Sequence, residues 1–339
     1  MYESFFGLRD RPFDLTPNPR FLFFAAKHRQ AFVDLQFGVA SRKGVVVLVG
    51  EAGTGKTTVA RALMEKQRNA RVQYVYLNNP VLTRAEFFQF LARALYLSKP
   101  AETSKTDLMA ELASRLMAVR EQGRTVALLV DEAQSLSDEM LEEIRLLTNI
   151  ETNDEKLLTL ILVGQPKLAD RLNDDAWKQL KQRVELRCTL TPFDVSETTA
   201  YIWSRIRTAG GDGARLFTIE AVRLVHERSR GIPRSINVIC ENALISGFAE
   251  HEQPVTRRLV LEVCEEFELY ERSQTAAIET STNVLHRRES DEGPNDVRGA
   301  ELPPSSAGVE EPAAKDIPPP AAAQSGRRRW LFSKAGTRP

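Results

Sequence analysis

Residues 50–57 read Gly50-Glu51-Ala52-Gly53-Thr54-Gly55-Lys56-Thr57 and satisfy G-x-x-x-x-G-K-[ST] at each fixed position. This stretch constrains the fold more than any other, because it works only between a strand and the first turn of a helix. Both flanks comply. Val45–Val49 is an uninterrupted apolar run, read as a buried strand. Thr57–Arg68 carries Val59, Ala60, Leu63 and Met64 at helical spacing. Gly50, Gly53 and Gly55 let the backbone approach an anion, and the freed N–H groups together with the helix N-terminus face phosphate oxygens. Lys56 would bring a positive charge to the outer phosphates and Thr57 a hydroxyl to Mg²⁺, with Thr58 completing the cradle. The alternative, a glycine-rich turn that binds nothing, fits the full match and its flanks poorly.

The chain continues as alternating apolar strands and amphipathic helices. Strands are expected at Val72–Leu77, Val126–Val130, Leu157–Val163 and Val184–Leu190. Helices are expected at Lys27–Ser41, Thr83–Leu97, Lys105–Gln122 and Ser137–Asn149, with short ones near Lys167–Leu172 and Ala176–Gln182. Such alternation predicts an α/β fold with a five-stranded parallel sheet covered on both faces. After Pro192 the pattern turns purely helical, over Val195–Thr208, Ile219–Arg228, Pro233–Ala249 and Thr256–Tyr270, which predicts a small all-α lid. The loop Gly210–Gly213 separates the first two. From about Glu271, Pro, Ala, Ser, Gly and charged residues dominate, a composition that predicts a disordered C-terminal tail. Its end, Arg327–Phe332, is basic with two aromatics and could meet an anionic surface or simply be solvated.

Four segments follow: 1–42, an aromatic segment and helix; 43–193, the α/β nucleotide-binding domain; 194–270, the lid; and 271–339, the tail. In the first, Tyr2, Phe5, Phe6, Phe13, Phe21, Phe23 and Phe24 must bury somewhere, and the expected place is the sheet domain beside the nucleotide; a partner surface is the alternative. Formal net charge is +0, so bulk charge predicts no nucleic-acid partner. Cys188, Cys240 and Cys264 are widely spaced and read as reduced thiols; with the histidines they form no metal-ligand spacing. No basic-then-apolar leader opens the sequence, and no apolar stretch has transmembrane length.

Further site candidates lie at strand ends. Asp131 and Glu132 follow an apolar strand downstream of the phosphate loop, the arrangement of a nucleoside triphosphatase: Asp131 would hold Mg²⁺ and Glu132 would act on the attacking water. Asp131-Glu-Ala-Gln134 also matches a superfamily 2 helicase box, but that reading needs a second sheet domain and the chain offers only helices. Gln165, at the next strand end, could sense the γ-phosphate or merely start a helix before Pro166. Arg183 precedes the last strand and could reach a neighbouring subunit's nucleotide; with Arg171, Lys178, Lys181 and Arg187 it could equally form a solvated basic face. Gly231-Ile-Pro-Arg234 opens a lid helix with Pro233 in its first turn, which would aim Arg234 at the phosphates.

This order of motifs resembles the AAA+ ATPases. Met1-Tyr-Glu-Ser-Phe-Phe-Gly-Leu8, Pro12-Phe-Asp-Leu-Thr-Pro-Asn-Pro19 and Gly164-Gln-Pro166 resemble one branch of them, general secretion pathway protein A (the ExeA type) with its pilus and exosortase-locus relatives. The resemblance covers about residues 1–270. It implies ATP and Mg²⁺ as cofactors, catalytic roles for Glu132, Gln165, Arg183 and Arg234, a homo-oligomer, and work as motor or switch in assembling an envelope secretion or polysaccharide-export machine. Longer members carry a membrane helix and a peptidoglycan-binding region after the ATPase. The tail here suggests instead the shorter exosortase-locus type, cytoplasmic or peripheral at the inner membrane. A different class, a DNA-binding regulator similar to the transposition ATPases, is the alternative. The basic cluster Arg171–Arg187 favours it; zero net charge and the lack of a recognition-helix domain after the lid oppose it.

Overall fold

In the computed structural model, residues 1–16, 19–66, 71–78 and 80–266 are described. The expected tail 271–339, with its basic end, and the last turn of the lid lie outside these residues. The chain opens with a short helix α1 (Tyr2–Phe5) and reaches α2 (Ala26–Ala40). Then come β1 (Val45–Gly50), α3 (Lys56–Lys66), β2 (Val72–Leu77), α4 (Arg84–Ala94), α5 (Lys105–Glu121), β3 (Thr125–Val130), α6 (Asp138–Leu147), β4 (Leu158–Gly164), α7 (Pro166–Asn173), α8 (Lys178–Lys181) and β5 (Val184–Leu190). Helices α9 (Val195–Thr208), α10 (Gly213–Leu216), α11 (Ile219–Ser229), α12 (Pro233–Ala249) and α13 (257–266) complete it.

The five strands form one parallel sheet in the order β2-β3-β4-β1-β5. Their period-2 pattern explains why continuous apolar runs suit them. Val45, Val47, Val49, Leu128, Val130 and Leu160 face a core shared with α4–α7. Val46, Leu48, Ala127, Leu129, Ile161 and Val163 face a second core under α2 and α3. Both faces are therefore dry, as a parallel sheet requires. Register sets the next level. Val130 pairs with Leu162, and Val49 with Gly164, so β1, β3 and β4 end nearly level, and the segments after them meet at the carboxyl edge.

Local chemistry fixes the helix starts. Thr83 with Glu86 and Asp194 with Glu197 form reciprocal capping boxes at α4 and α9. Pro166 and Pro233 occupy first-turn positions of α7 and α12. The expected loop at Gly210–Gly213 is shorter than foreseen, because Asp212 caps the one-turn helix α10. Phe217 beyond it bridges Val255, tying the start of α11 to the segment before α13. The helix foreseen near Ala176–Gln182 is a 3₁₀ turn (Asp175–Trp177) running into α8.

One expectation is corrected. Of the N-terminal aromatics, all but Phe24 pack away from the sheet domain. Tyr2, Phe6, Phe13 and Phe21 belong to the lid core with Tyr201, Ile202, Phe217 and Leu244. The changeover falls between two residues: Phe23 meets Phe193 and Tyr201 at 5.9 and 5.6 Å, whereas Phe24 meets Phe32 of α2 at 5.5 Å. The reason is area. Both sheet faces are already covered by helices, while α9, α11 and α12 present apolar side chains that this segment covers together with α10 and α13. Arg205 of α9 fastens it: its guanidinium is buried, lies 5.1 Å from the Phe21 ring centroid, and donates to the carbonyl of Pro12. Helix α2 packs against the sheet domain.

Candidate functional site

The phosphate loop leaves β1 at Gly50 and enters α3 at Lys56. Gly53 and Gly55 have φ of +80° and +94°, a region in which an L side chain is strained. Thr54 is fully buried; its hydroxyl donates to the Glu51 carbonyl at 2.8 Å and closes the loop on itself. Glu51, Ala52 and Thr58 are exposed at its rim. Lys56 is 5% exposed and its ammonium donates to the Glu51 carbonyl at 2.9 Å, folded back over the loop. Burial pulls its pKa down, and the nearby charges of Glu132 and Asp131 oppose that pull.

Thr57 donates from its hydroxyl to Asp131 Oδ2 at 2.8 Å, joining the first turn of α3 to the end of β3. Asp131 is buried, at 1% exposure, and its Oδ2 also accepts from the Tyr76 hydroxyl at 3.1 Å. Burial first, then the charge of Asp131, raises the Tyr76 pKa. The hydroxyl and carboxylate oxygens of Thr57 and Asp131 are hard donors, and Mg²⁺ usually takes only one or two protein oxygens beside phosphate and water. The residues present thus fit that ion.

Glu132 adopts the left-handed backbone conformation, φ +52°, where the chain turns away from the sheet. Its Oε2 accepts from the Gln134 side-chain amide at 2.5 Å, and the carbonyl of that amide accepts from the Gln165 N–H at 2.9 Å. Gln134 thus links the Glu132 carboxylate to the backbone of Gln165 at the end of β4. Arg234 sits across the loop: its N–H donates to the Gly53 carbonyl at 3.3 Å, and a Cβ on Gly53 would lie 2.9 Å from Arg234 Cβ. The structure therefore gathers Lys56, Thr57, Asp131, Glu132, Gln165 and Arg234 at one edge of the sheet. Arg183 is not among them. Its guanidinium donates to the Thr148 hydroxyl and, at 3.4 Å, to the Arg145 carbonyl, at the C-terminal end of α6. Arg171 of the same basic cluster is likewise engaged, with Asp138 and the carbonyls of Gln134 and Leu136.

Three contributors were not foreseen from the sequence. Tyr76 and Gln134 are described above; the third is His28 in the first turn of α2. Its Nε2 lies 2.8 Å from the Thr54 carbonyl, so that nitrogen carries the proton, and its Nδ1 is buried without a partner. Burial lowers its pKa, in keeping with a neutral ring. The ring also lies 5.2 Å from that of Phe193, at the junction of sheet domain and lid. A histidine at a helix start carries no such signal in sequence; only the neighbouring apolar period placed α2 against the loop's strand.

Comparison with known proteins bears on the family and the fold. The AAA domain family matches residues 39–172. General secretion pathway protein A of Aeromonas hydrophila is 39% identical over 249 residues, 74% of this chain and 45% of that protein, so the chain spans less than half the length of this curated relative. Among solved structures, the ORC2 protein of Aeropyrum pernix in ADPNP–ADP complexes has a TM-score of 0.55 at 16% identity, over 76% of this chain and 71% of that one. The ORC1 protein of the same organism, solved in complex with DNA, has a TM-score of 0.55 at 20% identity, over 77% and 70%. A Walker-type ATPase of Pyrococcus abyssi has a TM-score of 0.55 at 17% identity, over 80% and 81%. At these identities the structural likeness concerns the fold alone. The phosphate loop, the strand order and the similarity in sequence lead to one conclusion: the chain belongs to the AAA+ ATPases of the general secretion pathway protein A type.

Proposed function

We propose that this chain binds ATP with Mg²⁺ between the sheet domain and the lid and hydrolyses it, and that the cycle serves assembly of an envelope secretion or export machine. The single observation that carries the reading is the 2.8 Å contact of Thr57 with Asp131 beside a buried Lys56. Lys56 and the loop N–H groups would hold the phosphates. Thr57 and Asp131 would hold Mg²⁺, which screens phosphate charge. Glu132 would take a proton from the water that attacks the γ-phosphorus as the bond to the β–γ bridging oxygen breaks. Gln165 would sense that phosphate, and Arg234, against Gly53, would carry its presence or loss into the lid.

The machine is inferred from the relative's name, the secretion pathway protein of Aeromonas. In a homo-oligomer, Arg183 would exchange its α6 contact for a neighbour's nucleotide. Among the described residues no helix is long and apolar enough to cross a membrane; the proposed station is cytoplasmic or peripheral at the inner membrane.

The test is the ATPase rate against protein concentration, with and without DNA, for wild type, Glu132→Gln and Arg183→Ala. A specific rate that climbs with concentration and is lost in both variants, with ATP binding kept, supports the oligomeric hydrolase. Strong stimulation by DNA would shift the reading to a DNA-dependent regulator. A rate indifferent to concentration and to Arg183→Ala would remove the role of Arg183 in a neighbour's site.

A further inference from the structure

Gln134 lies outside the set of residues expected to meet nucleotide, yet its side-chain amide is used at both ends. The carbonyl oxygen can only accept, and it takes the Gln165 N–H at 2.9 Å; the amide nitrogen can only donate, and it faces Glu132 Oε2 at 2.5 Å. The two contacts fix the amide orientation without ambiguity. They also join the ends of the adjacent strands β3 and β4, of which β4 lies beside the strand that carries the phosphate loop. The fit is close: a Cβ on Gly164 would come within 2.9 Å of Gln134 Oε1, so glycine leaves the amide room to enter.

The surroundings make the side chain a fixed post. The carbonyl of Gln134 accepts from Arg171 Nη1 at 3.2 Å, and Arg171 also holds the Leu136 carbonyl at 2.6 Å. Glu132 itself is in the left-handed region, and its carbonyl accepts from the Ser135 N–H at 2.9 Å. A carboxylate on so tight a turn has several rotamers open to it, and a general base acts only from the correct one. With Oε2 held by Gln134, that choice is made.

We propose that Gln134 is a positioning residue, which holds Glu132 in its working rotamer and ties that rotamer to the backbone of Gln165, so that the base and the γ-phosphate sensor move as one unit. The inference rests on the proposed hydrolysis. It adds a residue that touches neither nucleotide nor water and acts through Glu132.

The experiment compares wild type with Gln134→Ala and Gln134→Glu, the second having the same shape without the donor. The readouts are kcat, KM, affinity for a fluorescent ATP analogue, and melting temperature. The expected result is a fall in kcat of about tenfold or more in both variants, with analogue affinity and melting temperature close to wild type. As pH falls, Gln134→Glu should recover relative to Gln134→Ala, because a protonated carboxyl can again donate. A role in packing alone predicts that Gln134→Glu behaves as wild type at all pH values, and that outcome overturns the proposal. So does a loss confined to nucleotide affinity.

A second readout separates this inference from the function beneath it. The Gln134 side-chain NH₂ resonances, assigned by their loss in Gln134→Ala, are recorded in wild type and in Glu132→Ala. Should the wild-type protein bind nucleotide without hydrolysing it, the functional reading fails while this measurement still decides. Resonances that move on Glu132→Ala sustain the contact; unmoved resonances refute it.

Discussion

Replacing Arg205 by methionine removes a buried guanidinium while keeping most of its aliphatic stem, and so tests whether the N-terminal segment is part of the lid. In the structure Arg205 is 9% exposed. It donates to the Pro12 carbonyl, to the Tyr201 hydroxyl at 2.8 Å and to the Asp14 carbonyl at 3.4 Å, and lies 5.1 and 5.5 Å from the Phe21 and Tyr201 ring centroids. Hydrogen bonds from a charged donor contribute about 1.5–3 kcal/mol each, and each cation–π contact about 0.5–1 kcal/mol. These terms are not additive, and the methionine regains some apolar contact, so the expected loss is about 3–5 kcal/mol. Set against a total stability of about 5–15 kcal/mol, the variant should remain folded but melt about 6–20 °C lower. Thermal unfolding followed by circular dichroism gives that number. Limited trypsin digestion gives the location, with faster cleavage after Arg9 and Arg20 expected, Arg11 being protected by Pro12. Arg93→Met, which breaks an exposed pair with Glu102, serves as control and should melt near wild type. If Arg205→Met melted with the control and resisted trypsin equally, the segment would not be held by the lid, and the argument from uncovered lid area would fail.

Glu132→Gln should keep ATP binding and lower turnover by about 10²–10⁴, measured as phosphate release beside analogue affinity. Gly53→Ala places a methyl 2.9 Å from Arg234 Cβ at φ +80°; with backbone strain of about 1–2 kcal/mol, nucleotide affinity should fall about tenfold or more by titration calorimetry while the lid stays folded. Burial raises the pKa of Glu241, which accepts from the Tyr2 hydroxyl, above its ordinary 4.5. Its contribution to stability is present below that value and lost as pH rises through the folded pKa, so Glu241→Gln should melt higher than wild type at neutral pH and equally below about pH 4.5. Burial lowers the pKa of His28 beneath its ordinary 6.5. Its contribution is present above that value and lost as pH falls through the folded pKa, so His28→Gln should show a smaller loss of melting temperature between about pH 6.5 and 5 than wild type.

What the sequence determined about this protein is what local rules determine. Val45–Val49 and Val126–Val130 are apolar at every position, which only a strand buried on both faces accommodates, and the glycine spacing of 50–57 admits little besides a strand–loop–helix turn. Asp131 and Glu132 were legible because their strand and the loop's strand end at one edge whenever the sheet is parallel. Pro233 and Arg234 were legible from the helix start they encode. What only the tertiary structure decided depends on which surface is left uncovered and which side chains meet across chain separations that no period reveals. The aromatics of 1–24 announced burial but not its place; that depended on both sheet faces being filled and one side of the lid being bare. Arg183 announced a charge beside a strand, and the fold set it on the end of α6. His28 and Tyr76 carry no pattern of their own, and Gln134 carried only that of a helicase box whose second sheet domain is missing from the described residues: each matters because register and packing bring it within hydrogen-bond reach of Thr54, Asp131 or Glu132, and hydrogen bonds act over a few ångströms that sequence distance does not measure.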